Sequence, residues 1–464
     1  MKPSSLAALS LVRDVEVITA APSIAASQED FGHLCVGATT AILRPSTIDG
    51  LLGAVRWANA HEMPLTPRGK GLSQSGQSIP ADGCGVDLSA FKEVTVSPEQ
   101  HLVRCGSGAT WREVLARTIE HRLVPAVMPV NLDLSVAGVL SAGGFGSTTH
   151  HLGLVVSSVQ SCGVVTGAGE RVECSWTERP DVFNAVLGGA GHFGIMDHAA
   201  LRLRPLPPCA RTFTLLYDDF ATCLHDHRHL QGQPWAHHLE GFCSAAIQGL
   251  RRGTMGRRVP FARWFYGIHV TIEHEAGAAP SPDILKGLHH RDLVLVDDDD
   301  SAAFAARYDA RFEGMQLTGT WDLPHPWLEC FLPFDAALEI IPRLVEKLPL
   351  FLGDGHRVLL LAGVPRPDLL MVPSGDPVVI LGSLPAGVIG ALRNPALAAL
   401  HEAHEMLLAA GGKRYLSGWL FEPEEAAWRR HFGPSFDAWR ARKASLDPAG
   451  VLTSRLMARP APRR

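Results

Sequence analysis

Three groups of residues in this sequence have types and spacings that could do chemistry. The first is Arg68-Gly-Lys-Gly-Leu-Ser-Gln-Ser-Gly-Gln77, with glycines at 69, 71 and 76. Glycine tolerates positive φ and lets backbone amides approach a ligand closely. Consecutive amides in such a loop form a concave nest that suits a pyrophosphate. The loop lacks the G-K-[ST] ending of a Walker A motif, and no G-x-G-x-x-G opens a helix after a strand as in a dinucleotide fingerprint. Taken alone, it reads most simply as a turn between strands. The second group is Asp133 with His150 and His151, in a tract of small residues that includes glycines 143, 144 and 146. An imidazole or carboxylate here could move a proton near neutral pH, while the plainer reading of Asp133 is an acid satisfied in a loop. The third is His225 and His229, four apart, a spacing that can hold zinc on a helix. No further ligand is indicated, so a solvated helical face is the better reading and no metal is expected.

The elements that must position these groups follow from periodicity and turn chemistry. Ala41–Pro45 reads as a strand and Thr47–His61 as a helix with Ser46 as N-cap. Strands follow at 85–88, 94–96 and 101–105, then a helix at 110–121 holding Trp111, Val114 and Leu115. Strand character resumes over 155–166 and 199–203, and Pro205-Leu-Pro-Pro208 reads as a linker. Asp297–Asp300 is expected as a solvated loop. Helices are expected over 394–410 and over 428–446, the latter turning Trp428, Phe436 and Trp439 inward.

A chain of 464 residues is too long for one ordinary core and implies two domains. With 46% hydrophobic and 19% charged residues it is globular, not disordered. The net charge of −5 offers no basic surface for nucleic acid. The nine cysteines are scattered singly without a C-x-x-C pair, which fits reduced thiols in the cytoplasm. Leu6–Val12 is a short apolar run followed by charges, and no convincing cleavage site accompanies it. No run reaches the roughly eighteen apolar residues of a membrane span. The expectation is a soluble, cytoplasmic protein.

Read together, these segments resemble a known family. "LRPSTIDGLLGAVRWANAHEMPLTPRGKGLSQSGQS", Gly106-x-Gly108-x-x-Trp111, "NLDLSVAGVLSAGGFGSTTHHLG" (131–153) and "DVFNAVLGGAGHFGIM" (181–196) follow one another in an order similar to the PCMH-type FAD-binding domain of the vanillyl-alcohol oxidase family. With "RYLSGWL" (414–420) and "HFGPSFDAWRARKASLDPAGVLTS" (431–454), the resemblance is closest to cytokinin dehydrogenases. It implies an α+β fold in which a two-subdomain FAD-binding domain (1–205 and 400–464) is interrupted by a substrate domain (206–399) with an antiparallel sheet flanked by helices. It places Pro67, Arg68, Gly69, Lys70, Gly71, Leu72, Ser73, Gln77 and Ser78 of the loop against the cofactor. It adds Val130, Ser135, Gly138, Ser141, Gly143, Gly144 and Phe145 from the small-residue tract, Ile195 and Met196 from the closing segment, and Tyr415 and Thr453 from the C-terminus.

Three departures from the family pattern bear on chemistry. The histidine that bonds the flavin 8α-methyl in the family's G-H-S is Leu72 here, so the resemblance implies FAD held non-covalently. The family's proton-accepting aspartate falls at about Val130, which leaves Asp133, His150 and His151 as the catalytic candidates. The C-terminal S-P-G-Q is Thr453-Ser-Arg-Leu456, which keeps a hydroxyl and loses a glutamine contact. The expected function is oxidation of a small organic molecule, a specialised metabolite, by hydride transfer to FAD, with oxygen or another acceptor taking the electrons. The alternatives are an FAD enzyme without net redox, such as a cyclase or lyase, and a non-catalytic flavoprotein.

Overall fold

The computed structural model describes residues 9, 12–253, 256–352, 355–367, 369, 371–418 and 424–457. The Leu6–Val12 stretch lies largely outside them. A small sheet near the N-terminus runs Val15–Ile18, Ala41–Pro45, Cys84–Asp87 and Leu65–Arg68 in spatial order, the last three parallel. Two of these parallel strands are joined by the helix Ile48–His61, which buries Leu51, Ala54, Val55, Trp57 and Ala58. Its N-cap is Thr47, whose hydroxyl accepts from the Gly50 amide, and not Ser46. The extended backbone at Thr47 aims its side chain at the first turn, while Ser46 Oγ donates to the Asp14 carbonyl. Chain 451–454 returns to this sheet, the Leu65 amide donating to Val451 O and the Thr453 amide to Leu65 O.

The second sheet is antiparallel: Val94–Ser97, Leu102–Gly106, Gly194–Pro205, Val159–Thr166 and Arg171–Ser175 in order, with Leu123–Pro125 also paired to Gly194–Pro205. The expected strand 155–166 begins as a 3₁₀ turn, Val155–Ser158. Helix Trp111–Ile119 is fixed by a reciprocal cap between Thr110 and Glu113, and helix Val136–Ala142 packs on the strands Leu102–Gly106 and Gly194–Pro205.

The third sheet has eight strands, all antiparallel to their neighbours: Asp292–Asp300, Cys209–Tyr217, Arg258–His274, His238–Arg252, His356–Leu361, Val378–Ser383, Leu328–Pro333 and Lys413–Arg414. The acidic run 297–300 belongs to its edge strand rather than to a loop. Asp298 pairs with Arg211 there, and Asp300 caps the helix Ser301–Ala305. Side chains alternate between faces along each strand. Leu328, Cys330, Leu332, Val358 and Leu360 therefore join helices Phe220–Gln231, Phe334–Lys347 and Arg393–Ala409 in one core. Phe331, Leu359 and Leu361 point the other way, into the core of the second sheet. The helix expected over 428–446 is two helices, Glu425–Phe432 and Pro434–Leu446. They are broken at Gly433, whose φ of 57° precedes a proline that cannot donate to the turn before it. The fold is α+β.

Candidate active site

The glycine loop leaves the strand Leu65–Arg68 and is held from behind. Asp30 accepts from Ser73 Oγ and the Gly76 amide, each at 2.8 Å, and from the Gly32 amide at 3.2 Å. Burial pushes the Asp30 carboxyl up to about 6, against the lowering effect of these donors and of Arg68. Arg68 spends its guanidinium on the carbonyls of Ala26, Glu29 and Ser78. The loop is tied to the C-terminal segment as well, Ser75 Oγ donating to Gly418 O and Gln77 Nε2 to Leu416 O. Among the described residues the amides of Lys70, Gly71, Leu72 and Ser73 find no internal acceptor.

The loop forms one wall of a cavity whose floor is the small-residue tract. Space there is scarce: a Cβ on Gly138 would lie 2.8 Å from Ser135 Oγ, and one on Gly146 only 1.9 Å from Met128 O. Gly144, at φ 69°, donates its amide to Tyr415 Oη at 2.8 Å. Tyr415 and Phe145 pack with ring centroids 5.1 Å apart, and Phe331 closes the group at 5.6 Å from Tyr415.

The roof comes from the third sheet, its connections and the N-terminal segment that carries Phe31. Phe31, Phe312, Trp321 and Trp327 make an aromatic wall. Beside them Glu240 accepts from Arg307 Nη2 at 2.7 Å, Tyr308 Oη at 2.7 Å and Arg357 Nη1 at 3.2 Å. Burial alone would raise this carboxyl, but the two arginine charges and the donated bonds outweigh it and bring it to about 2. A second carboxyl, Glu329, faces the same space and accepts from Ser417 Oγ at 2.7 Å. Here burial wins over Ser417 and the charge of Arg414, and the group is pushed up to about 7.

Of the residues expected at the cofactor, the loop set, Val130, Ser135, Gly138, Ser141, Gly144, Phe145, Ile195, Met196 and Tyr415 all line this cavity. Gly143 and Thr453 do not. Gly143 turns behind the tract, where an added Cβ would meet Met371. The Thr453 backbone pairs with Leu65 and Thr66 at the edge of the first sheet. The catalytic candidates lie outside the cavity lining. Asp133 is half-exposed and bonded to Arg112 at 2.7 Å, which holds its carboxyl below the usual range; it does not line the cavity. His150 is buried with its ring nitrogens 3.0 and 2.8 Å from the carbonyls of Ser147 and Ala236, and burial keeps it well below its ordinary value. His151 reaches the Gln231 carbonyl at 2.7 Å. Both imidazoles tie the tract to the helix Phe220–Gln231 and its end, away from the cavity. His225 and His229 lie on that helix, and among the described residues no cluster of three metal-ligating side chains forms.

Sequence reasoning passed over Asp30, Tyr308, Glu329 and Arg357. For Glu329 a signal existed: a lone acid in the apolar run Trp327-Leu-Glu-Cys-Phe-Leu332.

Comparison with known proteins places the site in a family. Residues 39–175 match the family described as "FAD binding domain". "Cytokinin dehydrogenase 8" of Oryza sativa subsp. indica is 30% identical, over 92% of this chain and 89% of its own length. The chain belongs to the cytokinin dehydrogenase family of FAD-linked oxidoreductases. "Cytokinin dehydrogenase 6" of Oryza sativa subsp. japonica is 29% identical over 92% of this chain and 88% of its own. A bacterial relative, "Uncharacterized oxidoreductase ORF5 in fasciation locus" of Rhodococcoides fascians, is 27% identical over 91% and 94% respectively.

The residues present fit the family's cofactor. The unspent amides of 70–73 suit a pyrophosphate. Ser107 Oγ and Gln74 Oε1 are buried at the cavity without a partner among the described residues, as polar groups awaiting a ligand would be. The enzyme is an FAD-dependent oxidoreductase. Bound FAD supplies a two-electron acceptor, while the chain supplies the amide nest, the tight floor and an aromatic chamber above it.

Proposed function

We propose that this enzyme oxidises a small organic molecule, a specialised metabolite, by hydride transfer to FAD held without a covalent bond. The observation that carries this is the cavity itself. It joins an amide-lined loop to an aromatic chamber, and Val130 lines it where the family pattern has a proton-accepting aspartate. A valine takes no proton, so the substrate differs from one whose oxidation depends on that aspartate. Non-covalent binding is supported by Leu72 and by the absence of histidine and cysteine from the cavity lining among the described residues.

Arg357, Tyr308 and Glu240 fix the polar edge of the chamber and orient a substrate, and Trp321, Trp327 and Phe312 enclose its apolar part. Oxygen or another small acceptor completes the cycle. The same reading divides the chain into an FAD domain (1–205 with 400–464) and a substrate domain (206–399). It also places the protein in the cytoplasm, a location consistent with its nine free cysteines. Among the described residues no helix is long and apolar enough to cross a membrane.

The test is a metabolite screen for anaerobic bleaching of the flavin. A compound that bleaches it and emerges two electrons more oxidised supports the reading. Turnover of a compound without bleaching or net oxidation would replace oxidation with a cyclase- or lyase-type reaction.

A further inference from the structure

Proton transfer is the step for which the enzyme has lost the group its family pattern provides, and the cavity wall narrows the choice of a replacement. Its acidic side chains among the described residues are Glu240 and Glu329, and no histidine or cysteine is present. Glu240 accepts three donated bonds and is held as an anion, which makes it a weak base and a good anchor. Tyr308 Oη donates to Glu240, and Tyr415 Oη accepts from the Gly144 amide, with burial pushing both phenols up.

Glu329 is different. One oxygen accepts from Ser417, and no second hydrogen bond to the carboxyl is made within the described residues. It shares a strand and a face with Phe331, whose ring packs on Phe145 and Tyr415 at the tract where the cofactor is expected. We propose that Glu329 is the proton acceptor of this enzyme, taking from the Leu328–Pro333 strand the role that the family pattern gives to an aspartate at Val130.

The proposal rests on the oxidation reading above. In a two-electron oxidation of an alcohol or amine, the hydrogen on carbon leaves with its electron pair for FAD. The O–H or N–H proton leaves without electrons and passes to the Glu329 carboxylate, which becomes the neutral acid and later returns the proton to water. A base poised near the working pH is the most effective, and two carboxyls whose surroundings push them apart divide the anchoring and proton-transfer roles. Glu329 stands at about 7 and Glu240 at about 2. The charged and titratable groups around Glu329 are few. Arg414 comes from the edge strand, backed by His404 and His431, which burial holds at about 2 and about 3. Tyr415 and Ser417 follow on the same segment, and across the cavity stand Glu240, Arg357 and Tyr308.

Two measurements on the FAD-loaded protein decide it. The first, read without substrate, is the infrared band of protonated carboxyls as pH is raised. Besides the Asp30 carboxyl near 6, the wild type should lose one buried carboxyl band with a midpoint near 7, and Glu329→Gln should lack that second transition while keeping the first. Ser417→Ala, which removes a bond favouring the anion, should move the midpoint up. The second is the rate of anaerobic flavin reduction by a compound found in the screen. Glu329→Gln should slow it at least about tenfold with FAD content unchanged and abolish the rise in rate through neutral pH, and Glu329→Asp should keep a rise. Wild-type rate and pH profile in Glu329→Gln would overturn the proposal. So would a carboxyl that does not titrate near 7, whatever becomes of the oxidation reading. A titrating Glu329 in a protein that no compound reduces would sink the oxidation reading and the role together. If Glu329→Gln does not fold, the Ser417→Ala shift must appear both in the infrared midpoint and in the pH profile of reduction; a shift in the first alone also overturns the role.

Discussion

Leu72 packs against the cluster of Phe31, Phe312 and Met315, a hydrocarbon contact at the position where the family pattern has a flavin-linking histidine. Acid precipitation of the yellow protein should therefore release intact FAD into the supernatant, and flavin fluorescence on the denatured band would show a covalent link instead. One residue earlier, Gly71 has φ 73° and its missing Cβ would lie 2.3 Å from Arg68 Nη2. Gly71→Val must distort the loop or push aside the guanidinium that holds Ala26, Glu29 and Ser78. The expected result is apo-protein with near-normal circular dichroism; full FAD content in that variant would refute the loop's role. Asp133 calls for the opposite forecast. Because it pairs with Arg112 in partly exposed surroundings, Asp133→Asn should change the rate of flavin reduction by less than about twofold, well under the effect of losing a general base. The residue type was legible in the sequence and its direction was not. Arg112 sits on the helix Trp111–Ile119 and also binds Asp309 at 2.7 Å, a partner far away in the chain.

The loop as an element depends on Asp30. Its carboxyl gathers Ser73 Oγ and the amides of Gly32 and Gly76, so Asp30→Ala leaves buried donors unpaired at a cost of about 1–3 kcal/mol. That variant should purify with a lower flavin-to-protein absorbance ratio and a lower melting temperature, and unchanged values of both would show that the loop holds its shape without this brace. The cap of the helix Ile48–His61 and the break at Gly433-Pro434 show how far local rules reach. Both follow from backbone conformation, yet one boundary is a residue off and the other divides a helix expected to be continuous. The Asp297–Asp300 run shows where composition misleads. Four acids read as a solvated loop, but pairing to Cys209–Tyr217 supplies the backbone hydrogen bonds of an edge strand, and Arg211 offsets part of the charge.

For the molecule as a whole, buried histidines set the response to acid. His192, His227, His238, His325, His356, His404 and His431 are all lowered, chiefly by burial, to values from about 2 to about 4. The unfolded chain takes up protons on these residues near 6.5 while the folded chain does not, so the unfolded state binds more protons and stability rises with pH between about 4 and 6.5. Asp30 and Glu329 act in the opposite direction, since raised carboxyls favour the fold at low pH and lose that advantage as pH climbs through about 6 and 7. Because lowered histidines outnumber raised carboxyls among the described residues, urea unfolding midpoints should be lower at pH 5 than at pH 7.5, and an equal or higher midpoint at pH 5 would contradict this balance. The sequence alone determined the family and the cofactor, because glycine spacing, small residues and their order along the chain are local properties that constrain the backbone directly. Tertiary structure decided which acids face the cavity and in which direction their surroundings shift them. Those outcomes depend on which face of a strand a side chain occupies, on how deeply it is buried and on arginines brought from distant segments to Glu240 but not into hydrogen-bonding contact with Glu329, and none of these is written in the neighbouring residues.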